Sequence, residues 1–147
     1  MKIRFLLWLT LILSIGAVSG QTDKLLAAKA KAKTDGKAIL IKFSGSDWCV
    51  PCIQLQKRVF EDSLFLSFAK KNLVIIYADF PRQKKNRLSA AEEQDNEKLA
   101  EQFNNEGEFP SMVLLSNDGT ILKKWHGFEK NHTSQVYIDE IKPFINH

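Results

Sequence analysis

Residues 38–52 read Ala38-Ile39-Leu40-Ile41-Lys42-Phe43-Ser44-Gly45-Ser46-Asp47-Trp48-Cys49-Val50-Pro51-Cys52. A nearly continuous apolar run ends at Ser44-Gly45-Ser46, and the only two cysteines of the chain follow with two residues between them. A run with so little alternation is expected of a strand covered on both faces. Pro51 suits the first turn of a helix, where its missing N–H is no loss and its fixed φ is already helical. Cys49 and Cys52 are therefore expected where a buried strand hands over to a helix.

That placement has chemical consequences. When reduced, the first sulfur of such a pair stands at the helix N-terminus, where free backbone N–H groups and the positive end of the helix dipole favour thiolate over thiol. An ordinary thiol, with a pKa of about 8.5, is only a few per cent ionised at neutral pH, and one lowered to about 7 is roughly half ionised. Cys49 is the expected nucleophile, and Cys52, one turn into the helix, the group that attacks the mixed disulfide and releases the substrate. Trp48 would flank the sulfur as an apolar surface for a docking polypeptide. A static bridge across so short a ring would add little loop-closure stability. Zinc would need two further ligands, and His126, His132 and His147 lack the spacing of a paired histidine arm.

The N-terminus has the pattern of a secretion signal over residues 1–20. Lys2 and Arg4 give a positive start, Phe5 to Ile15 an apolar core, and Ala17-Val18-Ser19-Gly20 small residues for cleavage near Gln21. The expected location is periplasmic or secreted, with membrane attachment only if this segment stays uncleaved. Residues 21–147 then form a single domain of about 125 residues, enough for one core. The formal charge of +4 includes Lys2 and Arg4, leaving about +2 after cleavage, which argues against nucleic acid as a partner. The one basic cluster, Arg82 to Arg87, lacks interleaved aromatics and reads as a solvated loop.

Outward from the cysteines, the pattern predicts helices over 22–34, 50–59, 62–70, 91–104 and from about 133 to 145, the last disturbed by Pro143. Strands are predicted at 37–44, 73–78, 111–116 and 120–125, with Asn117-Asp118-Gly119 as a hairpin turn and no regular pattern from Asp79 to about Ala90. Strand-helix-strand crossovers followed by a hairpin imply an α/β fold, a central mixed β-sheet flanked by helices on both faces.

The sequence resembles the thioredoxin-fold family over most of residues 21–147, and most of all its secreted bacterial disulfide-interchange members. Three landmarks carry the resemblance: the apolar strand followed by Trp48-Cys49-Val50-Pro51-Cys52, the Glu108-Phe109-Pro110-Ser111-Met112 segment, and the Ser116-Asn117-Asp118-Gly119 hairpin. It implies a cis peptide before Pro110, a redox-active disulfide between Cys49 and Cys52, and substrate backbone held by Trp48, Phe109 and Pro110. Phe109 is either substrate-facing or simply buried. The implied activity is that of an extracytoplasmic thiol:disulfide oxidoreductase acting on protein thiols and disulfides with an upstream electron donor or acceptor, as a monomer, with no metal or organic cofactor. Two departures stand out. The family's buried acid beneath the second cysteine is matched here by Lys42, and the Ser44-Gly45-Ser46 link is one residue longer than usual. Asp47, Glu61 or a water is then the candidate proton acceptor. Strong oxidants of the fold carry a histidine where Pro51 stands, so reductase- or isomerase-like behaviour is favoured. The contrasting reading is a thioredoxin-fold binding or chaperone module whose disulfide does not cycle.

Overall fold

Strand β1 (Ala38–Ser44) is buried along its whole length because it lies in the interior of the sheet. In the computed structural model, which describes residues 22–145, β2 (Leu73–Asp79) pairs with it in parallel, Ile41 opposite Ile76. On its other side β3 (Ser111–Leu115) pairs antiparallel, Ile41 opposite Val113, and β4 (Ile121–His126) pairs antiparallel with β3. The sheet order is β2-β1-β3-β4, a mixed four-stranded sheet as expected. The expected leader at residues 1–20 lies outside the described residues. Among those described, no helix is long and apolar enough to cross a membrane.

The alternation of β1 side chains sorts the core into two layers. Ile39, Ile41 and Phe43 pack with Leu25, Ala28 and Ala32 of α1 (Asp23–Asp35) and with Leu99 and Phe103 of α4 (Ala90–Phe103). Ala38 and Leu40 face the opposite layer. There they meet Leu55 of α2 (Val50–Leu55), Phe65 and Ala69 of α3 (Ser63–Asn72), and Ile138 and Ile141 of α5 (Ser134–Ile141). Helices thus cover both faces. Their ends follow local chemistry: Gly36 at φ 65° closes α1, the Asp62 carboxylate accepts from Leu64 and Phe65 to open α3, and Ser89 with Glu92 forms a capping box for α4.

Three details depart from the expected elements. The helix expected over 50–59 changes its hydrogen-bond period at Gln56 and runs on as a π-helical turn, Gln56–Phe60, closed by Glu61 N–H donating to Gln56 O at 3.0 Å. Pro143 ends α5 early, and Lys142–Phe144 is a 3₁₀ turn. The irregular stretch after Asp79 contains one 3₁₀ turn, Lys84–Asn86. Within α3, Phe65 is buried while Leu64 and Leu66 face solvent, because the one-sided stripe admits only part of that apolar run.

Candidate active site

Cys49 occupies the N-cap of α2 in extended conformation, as the strand-to-helix reading expects, and its Sγ accepts from the Cys52 N–H at 3.3 Å. Pro51 stands in the first turn. The two sulfurs are bonded to each other. Cys49 keeps 5% of its surface accessible and Cys52 none, so an incoming sulfur reaches the pair only through Cys49. This asymmetry is what the two expected roles require.

The link before the cysteines is held by β2. Asp79 accepts from the Ser46 N–H at 2.9 Å and from Ser46 Oγ at 2.6 Å, while Phe80 N–H donates to Ser44 O at 2.8 Å. The extra residue of Ser44-Gly45-Ser46 is thereby tied to the sheet. Asp47 does a matching task one step on: its carboxylate accepts from the Arg82 and Gln83 backbone N–H groups and from Asn86 Nδ2, each at 2.9 Å. These bonds, led by that from Arg82, hold its carboxyl below the ordinary range. Asp47 is therefore committed to these donors, which makes it a poor proton acceptor for Cys52. The basic segment is exposed from Arg82 to Arg87, the solvated loop expected, and three of its N–H groups are tied to Asp47.

Trp48 is half-buried. Its Nε1 donates to Phe80 O at 2.7 Å, its ring meets Phe109 edge-on with centroids 5.6 Å apart, and the Arg82 guanidinium lies 3.7 Å over its ring. Only part of the indole remains for a docking polypeptide. Phe80 meets Phe109 at 5.4 Å, so three rings form one wall of a cleft of about 550 Å³ that also takes in Arg82 and Leu88. The Phe109–Pro110 peptide is cis. Pro110 is buried, and its carbonyl accepts from the Gly127 N–H at 2.8 Å. Among the described residues the Phe109 backbone N–H and C=O have no partner. Phe109 is half-buried and lines the cleft, so both readings of its side chain hold in part.

Lys42 points to the face of α2 and is only 3% exposed. Its ammonium donates to Gln56 Oε1 and lies 4.6 Å from the centre of the Phe60 ring and 5.5 Å from that of Tyr77. Burial pushes it down from 10.5 to about 8, with the attraction of Asp79 and Glu61 working the other way. Gln56 Nε2 donates on to Glu61 Oε1 at 3.3 Å. Lys42, Gln56, Glu61 and Cys52 all line one cavity of about 280 Å³ beneath the disulfide. Sequence reasoning named Lys42 as a departure but missed Gln56, whose direction follows from the π-helical turn.

Of the histidines weighed as metal ligands, His126 meets Glu108 through Nδ1, and with Glu106 their ligand atoms lie within 4.8 Å of one another. Two of the three residues are exposed, and both cysteines are committed to each other.

Comparison with known proteins agrees with this geometry. Residues 25–142 match the family described as "Thioredoxin-like domain". The chain is 33% identical over 128 residues to the disulfide bond reductase DsbH of Chlamydia pneumoniae, covering 87% of this chain and 74% of the relative. A solved DsbH oxidoreductase superposes with a TM-score of 0.74 at 30% identity over 85% of this chain and 83% of its own. A disulphide isomerase from Xylella fastidiosa Temecula1 shares the fold with a TM-score of 0.60 at 18% identity, covering 91% of this chain and 98% of its own. With the cysteine pair capping α2 and the family match spanning nearly all described residues, the chain belongs to the thioredoxin-like family.

Proposed function

We propose that this chain is an extracytoplasmic thiol:disulfide oxidoreductase that reduces or rearranges disulfides of other proteins. The observation that carries the reading is the unequal exposure of two bonded sulfurs at a helix N-terminus, Cys49 at 5% and Cys52 at 0%. In the reduced protein the Cys52 N–H that now reaches Cys49 Sγ would stabilise a Cys49 thiolate. That thiolate attacks a substrate disulfide; the Cys49–substrate bond forms as one substrate sulfur leaves. Cys52 then attacks Cys49, the disulfide closes and the second substrate sulfur departs, so two electrons pass to the substrate. Trp48 and the backbone of Phe109 and Pro110 flank the path of an extended peptide, and the unpartnered Phe109 N–H and C=O suit strand-like pairing. The secretion-type pattern of residues 1–20 supports the location, and the relative's name, a disulfide bond reductase, supports the direction.

A Cys52→Ser variant tests this by losing the resolving sulfur. It accumulates covalent adducts with partner proteins in the native compartment, reversed by dithiothreitol, and the wild-type protein fed with dithiol reduces insulin. A reduction potential separates the reading from a binding module with a permanently closed bridge. A working pair lies at roughly −270 to −120 mV, and a structural one below about −300 mV. No adducts together with a potential in the structural range would refute the exchange activity.

A further inference from the structure

The cavity beneath Cys52 has no part in the exchange steps above, yet it brings a buried lysine and the second cysteine to one space that opens to solvent at Lys57, Glu61 and Tyr77. Cys52 comes from α2, Lys42 from β1, Gln56 from the π-helical turn, Glu61 from just beyond it, and Asp79 from the end of β2. Cys52 has no accessible surface, and this cavity is the space its sulfur borders on the side away from Cys49's exposed edge. At about 280 Å³ the space has room for water beside its few polar groups, most of its wall being apolar. A buried ammonium is costly where a leucine or methionine would pack. Here it is retained in the same cavity as the sulfur that must ionise.

The groups facing Lys42 narrow the choice of proton partner. Both Asp79 oxygens are taken by Ser46, and Tyr77, opposite Lys42 on β2, has its phenol raised further above neutrality by burial. Glu61 and Lys57 are exposed, and Met112, opposite on β3, does not titrate. Lys42 is the buried base, with an ammonium held at about 8, within reach of neutral pH. Its bond to Gln56, itself bonded to the exposed Glu61, fixes the position of the ammonium in the cavity.

We infer that Lys42 is the proton partner of Cys52, accepting the thiol proton when Cys52 resolves a mixed disulfide and returning it when the disulfide is opened, with Gln56 holding the ammonium in place and water exchanging its proton with solvent. The inference rests on the exchange activity proposed above. In the resolving direction the neutral amine takes the proton from Cys52 Sγ, directly or through water. The thiolate attacks Cys49 Sγ, the Cys49–Cys52 bond forms, and the bond to the substrate sulfur breaks. The substrate leaves as a thiolate and is protonated by water. In the reverse direction an external thiolate attacks Cys49, and the departing Cys52 thiolate meets the ammonium and takes its proton.

Ellman's reagent separates the two steps in the full-length reduced protein. Attack by Cys49 releases one thionitrobenzoate, and attack by Cys52 on the Cys49 adduct releases the second. Lys42→Met is expected to slow the second release at least tenfold at pH 7 and to move its pH midpoint up by at least one unit, with the first release changed less than threefold. Lys42→Gln, which keeps a polar contact for Gln56, gives the same result if Lys42→Met does not fold. A second release with unchanged rate and pH profile in a folded variant overturns the role of Lys42 alone. No release from the reduced wild-type protein overturns the exchange reading itself, and this inference with it.

Discussion

Gly45 lies directly against the indole of Trp48: a β-carbon on Gly45 would stand 2.3 Å from Cε2 of the ring. No side chain fits there without moving the tryptophan. Trp48 is fixed on its other sides by the Phe80 carbonyl, the Phe109 edge and Arg82. Gly45→Ala therefore forces the indole outward and opens the aromatic wall. The expected cost is about 1–3 kcal/mol, typical of overpacking. Urea unfolding measures it, and a shifted Trp48 indole N–H resonance locates it. An unchanged resonance would show that the backbone, not the ring, yields.

Phe109 touches both Trp48 and Phe80 edge-on. Aromatic pairs of this kind contribute roughly 0.5–1.5 kcal/mol each beyond area burial. Phe109→Ala removes two such contacts and part of the wall beside the cysteines, while the disulfide itself is untouched. The expected outcome is a raised KM for a peptide disulfide with little change in the rate toward Ellman's reagent. Equal loss toward both substrates would mean that Phe109 supports Cys49 rather than the peptide.

Asp47 ties the Arg82–Asn86 segment to the active-site turn through three hydrogen bonds to its carboxylate. Because those bonds favour the ionised form, its folded-state pKa lies below the ordinary 3.8. The stabilisation is present above the unfolded value and is lost as pH falls through the lower folded one. Amide exchange at Arg82 and Gln83, corrected for the intrinsic pH dependence, is expected to accelerate as pH drops below about 4. Asp47→Ala should show the same fast exchange already at neutral pH. Protection that survives in this variant would mean that the loop is held by Arg82 stacking on Trp48 instead.

The sequence displayed the outline of this site because its signals are local. The apolar run before Ser44, the proline after Cys49 and the two-residue spacing each constrain backbone within one turn or strand. The four strands and five α-helices of the described residues follow from equally local patterns, with ends displaced by a few residues. What was hidden depends on partners distant in sequence. Asp47 finds its donors 35 to 39 residues away, and Asp79 reaches back 33 residues to Ser46. The π-helical turn has no signature in Gln56–Phe60, so the direction of Gln56 toward Lys42 was not legible. Lys42 itself was visible as an anomaly, but only the packing of β1 against α2 gives it a cavity in common with Cys52.

Lys42 also makes stability depend on pH. Its folded-state value is about 8 against 10.5 when solvated, so between these limits the unfolded chain binds more protons than the native one. By linkage the native state gains stability as pH rises through that window, at up to about 1.4 kcal/mol per unit, and below pH 8 it carries the full cost of the buried charge. Methionine has a similar length and no charge. Lys42→Met should therefore exceed the wild-type protein in stability at pH 7 by up to about 3 kcal/mol. The advantage should shrink steadily between pH 8 and 10.5. Urea unfolding of the oxidised proteins across that range measures the difference while the disulfide stays closed. A constant difference with pH would mean that Lys42 is solvated in the native state, and its proton exchange with Cys52 would lose its physical basis.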